Sequence, residues 1–298
     1  AGELPVIAPG DEINAAQWRS DGEQILLAGD GGIAGLWDQD AQPILAFDEQ
    51  GADVLAAAWT HAEDTIATAD GTGVLRLFDA TTGEQVISFT GHTDYVHKIA
   101  WSPDDTRLLS ASSDDTARIW DAATGEQIAV LDHKGQVNCV AWQPDGSRIL
   151  TCSEDLTAAL WDAATGERQL TFEGHGGSVE SGRWNAAGDR LLTTSMDKTA
   201  LVWDAATGEV LLTLEGHTGK VNQALWNADE SMLLTAATDG TARLWDAQTG
   251  ECLRVLEGHT GEITLAHWNA DESLILTASK DGTARVWATG TEAGDTLA

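Results

Sequence analysis

The sequence predicts an all-β fold: a seven-bladed β-propeller built from four-stranded antiparallel blades. Three observations carry this. Trp recurs every 41 or 42 residues in two interleaved series. One runs Trp18, Trp59, Trp101, Trp142, Trp184, Trp226, Trp268; the other runs Trp37, Trp120, Trp161, Trp203, Trp245, Trp287, with Phe78 in the place between Trp37 and Trp120. All 13 Trp residues of the chain fall in these series. That period is the length of one four-stranded blade. Within each period, short alternating runs are separated by Gly, Asp and Asn turns, and no helical periodicity is present.

The repeat at 216–257 shows how each strand is predicted. Val221–Trp226 alternates and reads as strand a. Residues 227–231 (NADES) form a turn cluster. Met232–Ala237 reads as strand b, and Thr238-Asp239-Gly240 has the Asp-Gly signature of a tight hairpin. Thr241–Trp245 is strand c, residues 246–250 are a turn, and Glu251–Leu256 is strand d. One such sheet cannot bury its apolar face alone. Stacked against its neighbours it does, so the whole chain, 1–298, is expected to be one propeller rather than two domains.

The predicted boundaries are 9–48 for blade 1, 49–90 for blade 2, 91–131 for blade 3, 132–173 for blade 4, 174–215 for blade 5, 216–257 for blade 6 and 258–287 for blade 7. Residues 288–298 lack strand alternation and read as a tail. Residues 3–8 (ELPVIA) stand at the strand-d position before blade 1. They are expected to supply the outer strand of blade 7, closing the propeller with the N-terminal strand and removing open sheet edges. Pro5 suits an outermost strand, where one row of N–H groups is unpaired.

Composition bounds the partners. Formal net charge is −32, from 48 acidic and 16 basic residues. Such a surface repels phosphates, so neither nucleic acid nor an anionic membrane is an expected partner. The scarcity of Lys also matches proteins adapted to high salt. Three Cys argue against a disulfide framework; Cys139 and Cys152 read as small buried residues on adjacent strands. No apolar run reaches the length of a membrane helix, and no signal peptide is visible. The chain begins at Ala1 without Met, as a processed protein or an excised domain does. A cytoplasmic, monomeric propeller is the expectation.

Repeated short motifs then identify a resemblance. Gly-His stands at 91–92, 174–175, 216–217 and 258–259, with Asp132-His133 as a variant. Trp-Asp stands at 37–38, 120–121, 161–162, 203–204 and 245–246. Together with the turn Asp, this pattern resembles the WD-repeat β-propeller family over nearly the whole chain. The repeated WDAATGE and the closeness of blades 6 and 7 resemble WD-repeat proteins of bacteria. The resemblance implies a hydrogen-bonded set in each blade, linking turn Asp, His, a strand-b hydroxyl and the strand-c indole. By position these are Asp114, His92, Ser110 and Trp120 in blade 3; Asp155, His133, Thr151 and Trp161 in blade 4; and Asp197, His175, Thr193 and Trp203 in blade 5. Blade 6 supplies Asp239, His217, Thr235 and Trp245, and blade 7 supplies Asp281, His259, Thr277 and Trp287. Blades 1 and 2 depart from the pattern. Pro9 and Gln50 replace the His, Gly31 and Thr72 replace the turn Asp, and Leu27 replaces the hydroxyl in blade 1. These two blades are expected to rely on packing.

A Ser/Thr–His–Asp set could be mistaken for a hydrolase triad. Here it repeats five times and each copy ends on a core indole, which a catalytic group does not. The sequence carries neither GxxxxGK[ST] nor HExxH, and each network His has partners that leave it no metal to bind. No catalytic residues, metal or cofactor are therefore expected. Paired acids such as Asp104-Asp105, Asp229-Glu230 and Asp271-Glu272 read as a solvated face of the a–b turns. The resemblance places a peptide-binding surface on the top face, formed by the d–a and b–c connections. Its candidate residues are Tyr95, His97, Asn138, Glu154, Glu180, Met196, Lys220, Asn222, Thr264 and Lys280. The implied function is a non-enzymatic scaffold holding a protein or peptide with a basic portion. The alternative is a sensor or autoinhibitory propeller domain from a larger bacterial signalling or ATPase protein.

Overall fold

The structure, a computed structural model, describes residues 12–47 and 52–290 together with the backbone of 296–297. Among these residues it is all-β apart from one 3-10 turn, Asp30–Gly32, with seven antiparallel sheets in the arrangement of a seven-bladed propeller. Blade 1 holds β1 (Ile13–Trp18), β2 (Gln24–Gly29), β3 (Ile33–Asp38) and β4 (Pro43–Ala46). Blade 2 holds β5 (Val54–Trp59), β6 (Thr65–Asp70), β7 (Leu75–Asp79) and β8 (Gln85–Phe89). Blade 3 holds β9 (Val96–Trp101), β10 (Arg107–Ser112), β11 (Thr116–Asp121) and β12 (Gln127–Asp132). Blade 4 holds β13 (Val137–Trp142), β14 (Arg148–Ser153), β15 (Thr157–Asp162) and β16 (Arg168–Glu173).

Blade 5 follows with β17 (Val179–Trp184), β18 (Arg190–Ser195), β19 (Ala200–Asp204) and β20 (Val210–Leu214). Blade 6 has β21 (Val221–Trp226), β22 (Met232–Ala237), β23 (Thr241–Asp246) and β24 (Cys252–Glu257), each within a residue of its sequence-predicted bounds. Blade 7 has β25 (Ile263–Trp268), β26 (Leu274–Ser279), β27 (Ala284–Ala288) and the two-residue β28 (Thr296–Leu297). Two compact units divide the chain: Ala1–Ile149 with Trp161–Arg168, and Leu150–Leu160 with Gln169–Ala298.

The tail departs from its sequence reading. Leu297 and Thr296 pair with Val286 and Trp287 of β27, so residues 288–298 do contribute a strand. The edge of β27 carries unpaired backbone groups, and two tail residues satisfy part of that row. Residues 3–8, the expected outer strand, lie outside the described residues.

Apolar alternation positions the core between blades. Phe89 of blade 2 packs with Val96, Trp101 and Trp120 of blade 3 in one cluster. Leu26, Leu36 and Phe47 of blade 1 pack likewise with Val54, Trp59 and Phe78 of blade 2. In the second unit, Leu234 and Leu256 of blade 6 pack with Ile263 and Trp287 of blade 7. Each fully buried Leu or Phe contributes about 1.5–3 kcal/mol. Cys139 and Cys152 are buried, as their sequence setting implied.

The a–b turns hold a second device that the sequence reading took for a solvated face. One residue of each turn sits at positive φ. In blades 2, 3, 6 and 7 it is Glu63, Asp105, Glu230 and Glu272, at φ of 56 to 58°. Each carboxylate reaches back to the a–b turn of the preceding blade. Glu63 accepts from Ser20 N at 2.7 Å, Asp105 from His61 N and Ala62 N at 3.0 Å each, and Glu230 from Ala186 N at 2.7 Å. Glu272 accepts from Ala228 N and, at 3.2 Å, from Asn227 Nδ2. Charge-assisted bonds of this kind offset a backbone strain of about 1–2 kcal/mol. In blades 1, 4 and 5 the residue at this position is Gly22, Gly146 and Gly188, with no side chain to make the clasp.

Candidate functional site

In blades 3, 5, 6 and 7 a chain of hydrogen bonds links the strand-c indole, the strand-b hydroxyl, the His and the turn Asp. In blade 3, Trp120 Nε1 meets Ser110 Oγ at 2.9 Å, Ser110 Oγ meets His92 Nε2 at 2.7 Å, and His92 Nδ1 meets Asp114 at 2.8 Å. Blade 5 repeats this through Trp203, Thr193, His175 and Asp197, at 2.8 Å for each link. Blade 6 runs Trp245, Thr235, His217, Asp239, and blade 7 runs Trp287, Thr277, His259, Asp281. In blade 4, Asp155 accepts from Thr157 Oγ1 at 2.6 Å and His133 stands edge-on to Trp161 with ring centroids 5.8 Å apart.

Donor chemistry fixes the direction of each chain. An indole N–H only donates, so the hydroxyl oxygen accepts from it and passes its own proton to His Nε2. Nδ1–H then donates to the carboxylate. That pattern requires a neutral imidazole. Burial lowers the pKa of His92, His175 and His217 below the usual value, against the raising effect of the Asp partner. Burial opposes ionisation of Asp114, Asp197 and Asp239, but their hydrogen bonds outweigh it; Asp239 lies at about 2.

A pH dependence follows. The unfolded chain protonates its imidazoles near pH 6.5, while His92, His175 and His217 in the folded state stay neutral to lower pH. The unfolded state then binds more protons, so stability is fully present above about pH 7 and falls as pH drops through 6.5. A further loss follows below about pH 4, as the low-pKa Asp residues take up protons. Thermal scans at fixed ionic strength are expected to show a flat Tm above about pH 7.5 and a decline from about pH 7 to 5.5. A Tm that rises over that last interval contradicts a neutral-imidazole network.

Blade 2 corrects the expectation that it relies on packing alone. Asp70, at the end of β6, is fully buried and faces the guanidinium of Arg76, with Nη1 2.6 Å from Oδ2. Its other oxygen accepts from Thr72 Oγ1 at 2.6 Å and from Thr72 N at 2.8 Å. The turn acid has moved two residues upstream into the strand, and an Arg replaces the His. One member of the old set is stranded. Thr68 Oγ1 is buried with no hydrogen-bond partner, because Phe78 offers no N–H where the other blades have an indole. Thr68→Val keeps the shape and removes the orphan hydroxyl. It is expected to be neutral or stabilising by about 1 kcal/mol, while Thr235→Val, which strands an indole and an imidazole, costs about 1–3 kcal/mol in urea titrations.

An antiparallel four-stranded sheet puts its b–c turn at the edge opposite the a–b and c–d turns. The c–d turns are spent on themselves: Asp121 Oδ1 accepts from Ala123 N and Thr124 N, and Asp162, Asp204 and Asp246 repeat this. At the b–c edge the sequence-predicted residues divide. His97 is half-buried and bonds the Val137 carbonyl at 2.7 Å; Asn222 bonds the Ile263 carbonyl at 2.9 Å. Both tie one blade to the next. Lys220 pairs with Glu180 at 3.0 Å and Lys280 with Glu262 at 2.7 Å. Thr264 Oγ1 donates to the Ala278 carbonyl, and Asn138 is half-buried.

Tyr95, Met196 and Glu154 remain exposed, the first two at 55% and 51%. The ring of Tyr95 lies over Gly71, where even a Cβ would meet it at 3.2 Å.

The sequence reading missed Leu156. It is 43% exposed and has φ of 73°. Gly73, Gly240 and Gly282 hold the same turn position in blades 2, 6 and 7, also at positive φ. An apolar side chain in a glycine's place was the signal available.

The family model described as WD domain, G-beta repeat, matches residues 83–121, 125–162, 166–204, 208–246 and 250–288. The chain belongs to the WD-repeat family. The WD-repeat match begins after blade 1 and most of blade 2, the two blades that lack the His and turn Asp. The crystal structure of the computationally designed Ika8 protein has the same fold, with a TM-score of 0.84 at 23% identity over 93% of this chain and 83% of that one. No curated protein sequence matches the chain. WD-repeat propellers typically serve as scaffolds for protein interactions and are generally not catalytic. No helix among the described residues is long and apolar enough to cross a membrane, and they contain no group of three or more His, Cys, Asp and Glu that could hold a metal ion.

Proposed function

We propose that this chain is a non-enzymatic interaction scaffold that takes a peptide-like segment on its b–c edges, with an apolar anchor and a basic portion. One observation carries the reading: Leu156 is held exposed in a left-handed conformation that costs a β-carbon residue about 1–2 kcal/mol. Blades 2, 6 and 7 have glycine at this position and blades 3 and 5 have the polar Asp115 and Lys198, so blade 4 places an exposed apolar side chain where those blades place none. Met196, in the next b–c turn, is also exposed, and Tyr95 gives the first unit an anchor of its own. Flexible Met and rigid Tyr both suit recognition of an apolar side chain.

Charge supports the basic portion. Lys220 and Lys280 are neutralised by Glu180 and Glu262, whereas Glu154 beside Leu156 is exposed. The overall charge of −32 adds long-range attraction for a basic segment.

Selection from a display library of random peptides tests this. Enrichment of sequences pairing Lys or Arg with a large apolar residue is expected, weaker when selection is repeated at high salt. Failure to enrich any peptide, or enrichment of acidic ones, refutes the reading.

A further inference from the structure

We infer that the groove beside the outer strand of blade 5 docks an extended partner peptide in which one acidic residue is flanked by large apolar ones. The groove has a volume of about 370 Å³ and is lined by Arg190 and Val202 of blade 5, Leu211 and Leu212 of β20, and Ala247 and Gln248 in the c–d turn of blade 6. It opens at the c–d turns, the edge opposite the b–c turns.

The same joint is closed by an Arg in blade 3. Arg107 begins β10 as Arg190 begins β18. Arg107 Nη1 donates to the Ala163 carbonyl in a c–d turn at 2.6 Å, and its guanidinium lies 4.9 Å from the centroid of the Trp142 ring. The counterparts of Ala163 and Trp142 in blade 6 are Ala247 and Trp226. Arg190 neither bonds that carbonyl nor stacks on that indole. It is exposed, and its guanidinium has no hydrogen bond or ion pair among the described residues. Asp204, opposite it on β19, is tied to Ala206 N and Thr207 N of its own turn. The Ala247 carbonyl accepts no backbone bond among the described residues either. A carboxylate matches the free guanidinium, and a peptide N–H matches the free carbonyl.

The strand beside the groove is suited to a peptide as well. β20 reads VLLTL and carries neither charge nor Pro, the usual protections of an edge strand. By contrast β12, β16 and β24 carry charged residues and β4 carries Pro43. Val210 and Leu211 are 43% and 45% exposed. Among the described strands β20 pairs with β19 alone, so its outer row of N–H and C=O groups is open to a further strand. A peptide laid there puts apolar side chains on Val210 and Leu211 and one carboxylate on Arg190. The net charge of −32 limits the number of acids, because a strongly acidic segment is repelled at long range. The same charge disfavours a second copy of this chain as the occupant.

The experiment is a subtractive selection from a display library of random peptides. Peptides that bind the parent are kept after depletion on the Arg190→Glu protein. Depletion removes ligands of the b–c edges, which bind both proteins equally. The remaining pool is expected to pair one Asp or Glu with large apolar residues. A synthetic peptide from that pool, titrated into the ¹⁵N-labelled full chain, is expected to shift the Val210, Leu211 and Leu212 amides saturably. Arg190→Gln is expected to weaken it roughly tenfold with an unchanged Tm, the loss of a charge-assisted bond. Leu211→Ala is expected to weaken it about fivefold through lost apolar contact. A pool without acids, amide shifts confined to other blades, or equal affinity in Arg190→Gln each overturns the assignment. So does a dimer of the free chain in sedimentation that Arg190→Glu abolishes, since the groove then belongs to a second copy.

Discussion

Asp70→Ala is expected to destabilise the protein by about 3–5 kcal/mol, the largest single-site loss outside the apolar core. Asp70 is fully buried and the Arg76 side chain is only 9% exposed, so no water can replace the lost carboxylate around the guanidinium. The same change removes the acceptor for Thr72 Oγ1, Thr72 N and Val74 N. Burial by itself would raise the pKa of Asp70. Hydrogen bonds from Thr72 and Arg76 hold it below the ordinary carboxylate value. The Asp70→Leu, Arg76→Met double variant is expected to lose less than Asp70→Ala, because no charge is left buried. Urea titrations of the three proteins decide this. A loss under about 1 kcal/mol for Asp70→Ala would reduce the pair to the status of a surface ion pair.

His175→Ala is expected to cost about 1–3 kcal/mol. The imidazole bridges Thr193 and Asp197, and both links lie in the interior of blade 5. Asp197 keeps Gly176 N and Thr199, so the carboxylate is not orphaned and the loss falls short of a broken buried ion pair. His61→Ala is the control. His61 also bonds an Asp, at 2.6 Å to Asp105, but its side chain is 63% exposed. Exposed pairs contribute about 0–1 kcal/mol. Equal losses for His61→Ala and His175→Ala would show that burial does not set the value of these bonds.

The strands were legible because each blade repeats the same turn chemistry at the same spacing. The networks were legible for a related reason: their members stand at fixed offsets of 18, 22 and 28 residues from the His. Where the chemistry shifts along the chain, the reading failed. Asp70 lies two residues before the expected turn position, and its partner is an Arg with no role in the repeat pattern. The clasps were hidden because a carboxylate in one blade answers a backbone N–H 43 or 44 residues earlier. Acidic side chains that solvation seemed to explain were thus part of the joints. At the b–c edge, position alone placed His97, Asn222 and Tyr95 together. Only the structure separates the two that tie blades from the one that stays open.

Leu156 offers the most direct test of the functional reading, because folding and binding place opposite demands on it. Removing its side chain relieves the left-handed strain and removes the anchor. The measurement is a calorimetric titration of a selected peptide into the parent and Leu156→Gly proteins, with thermal unfolding of both as a control. The account predicts an unchanged or raised Tm in Leu156→Gly together with affinity lowered by roughly tenfold, as for a lost interface anchor. Unchanged affinity in a folded Leu156→Gly protein would contradict it.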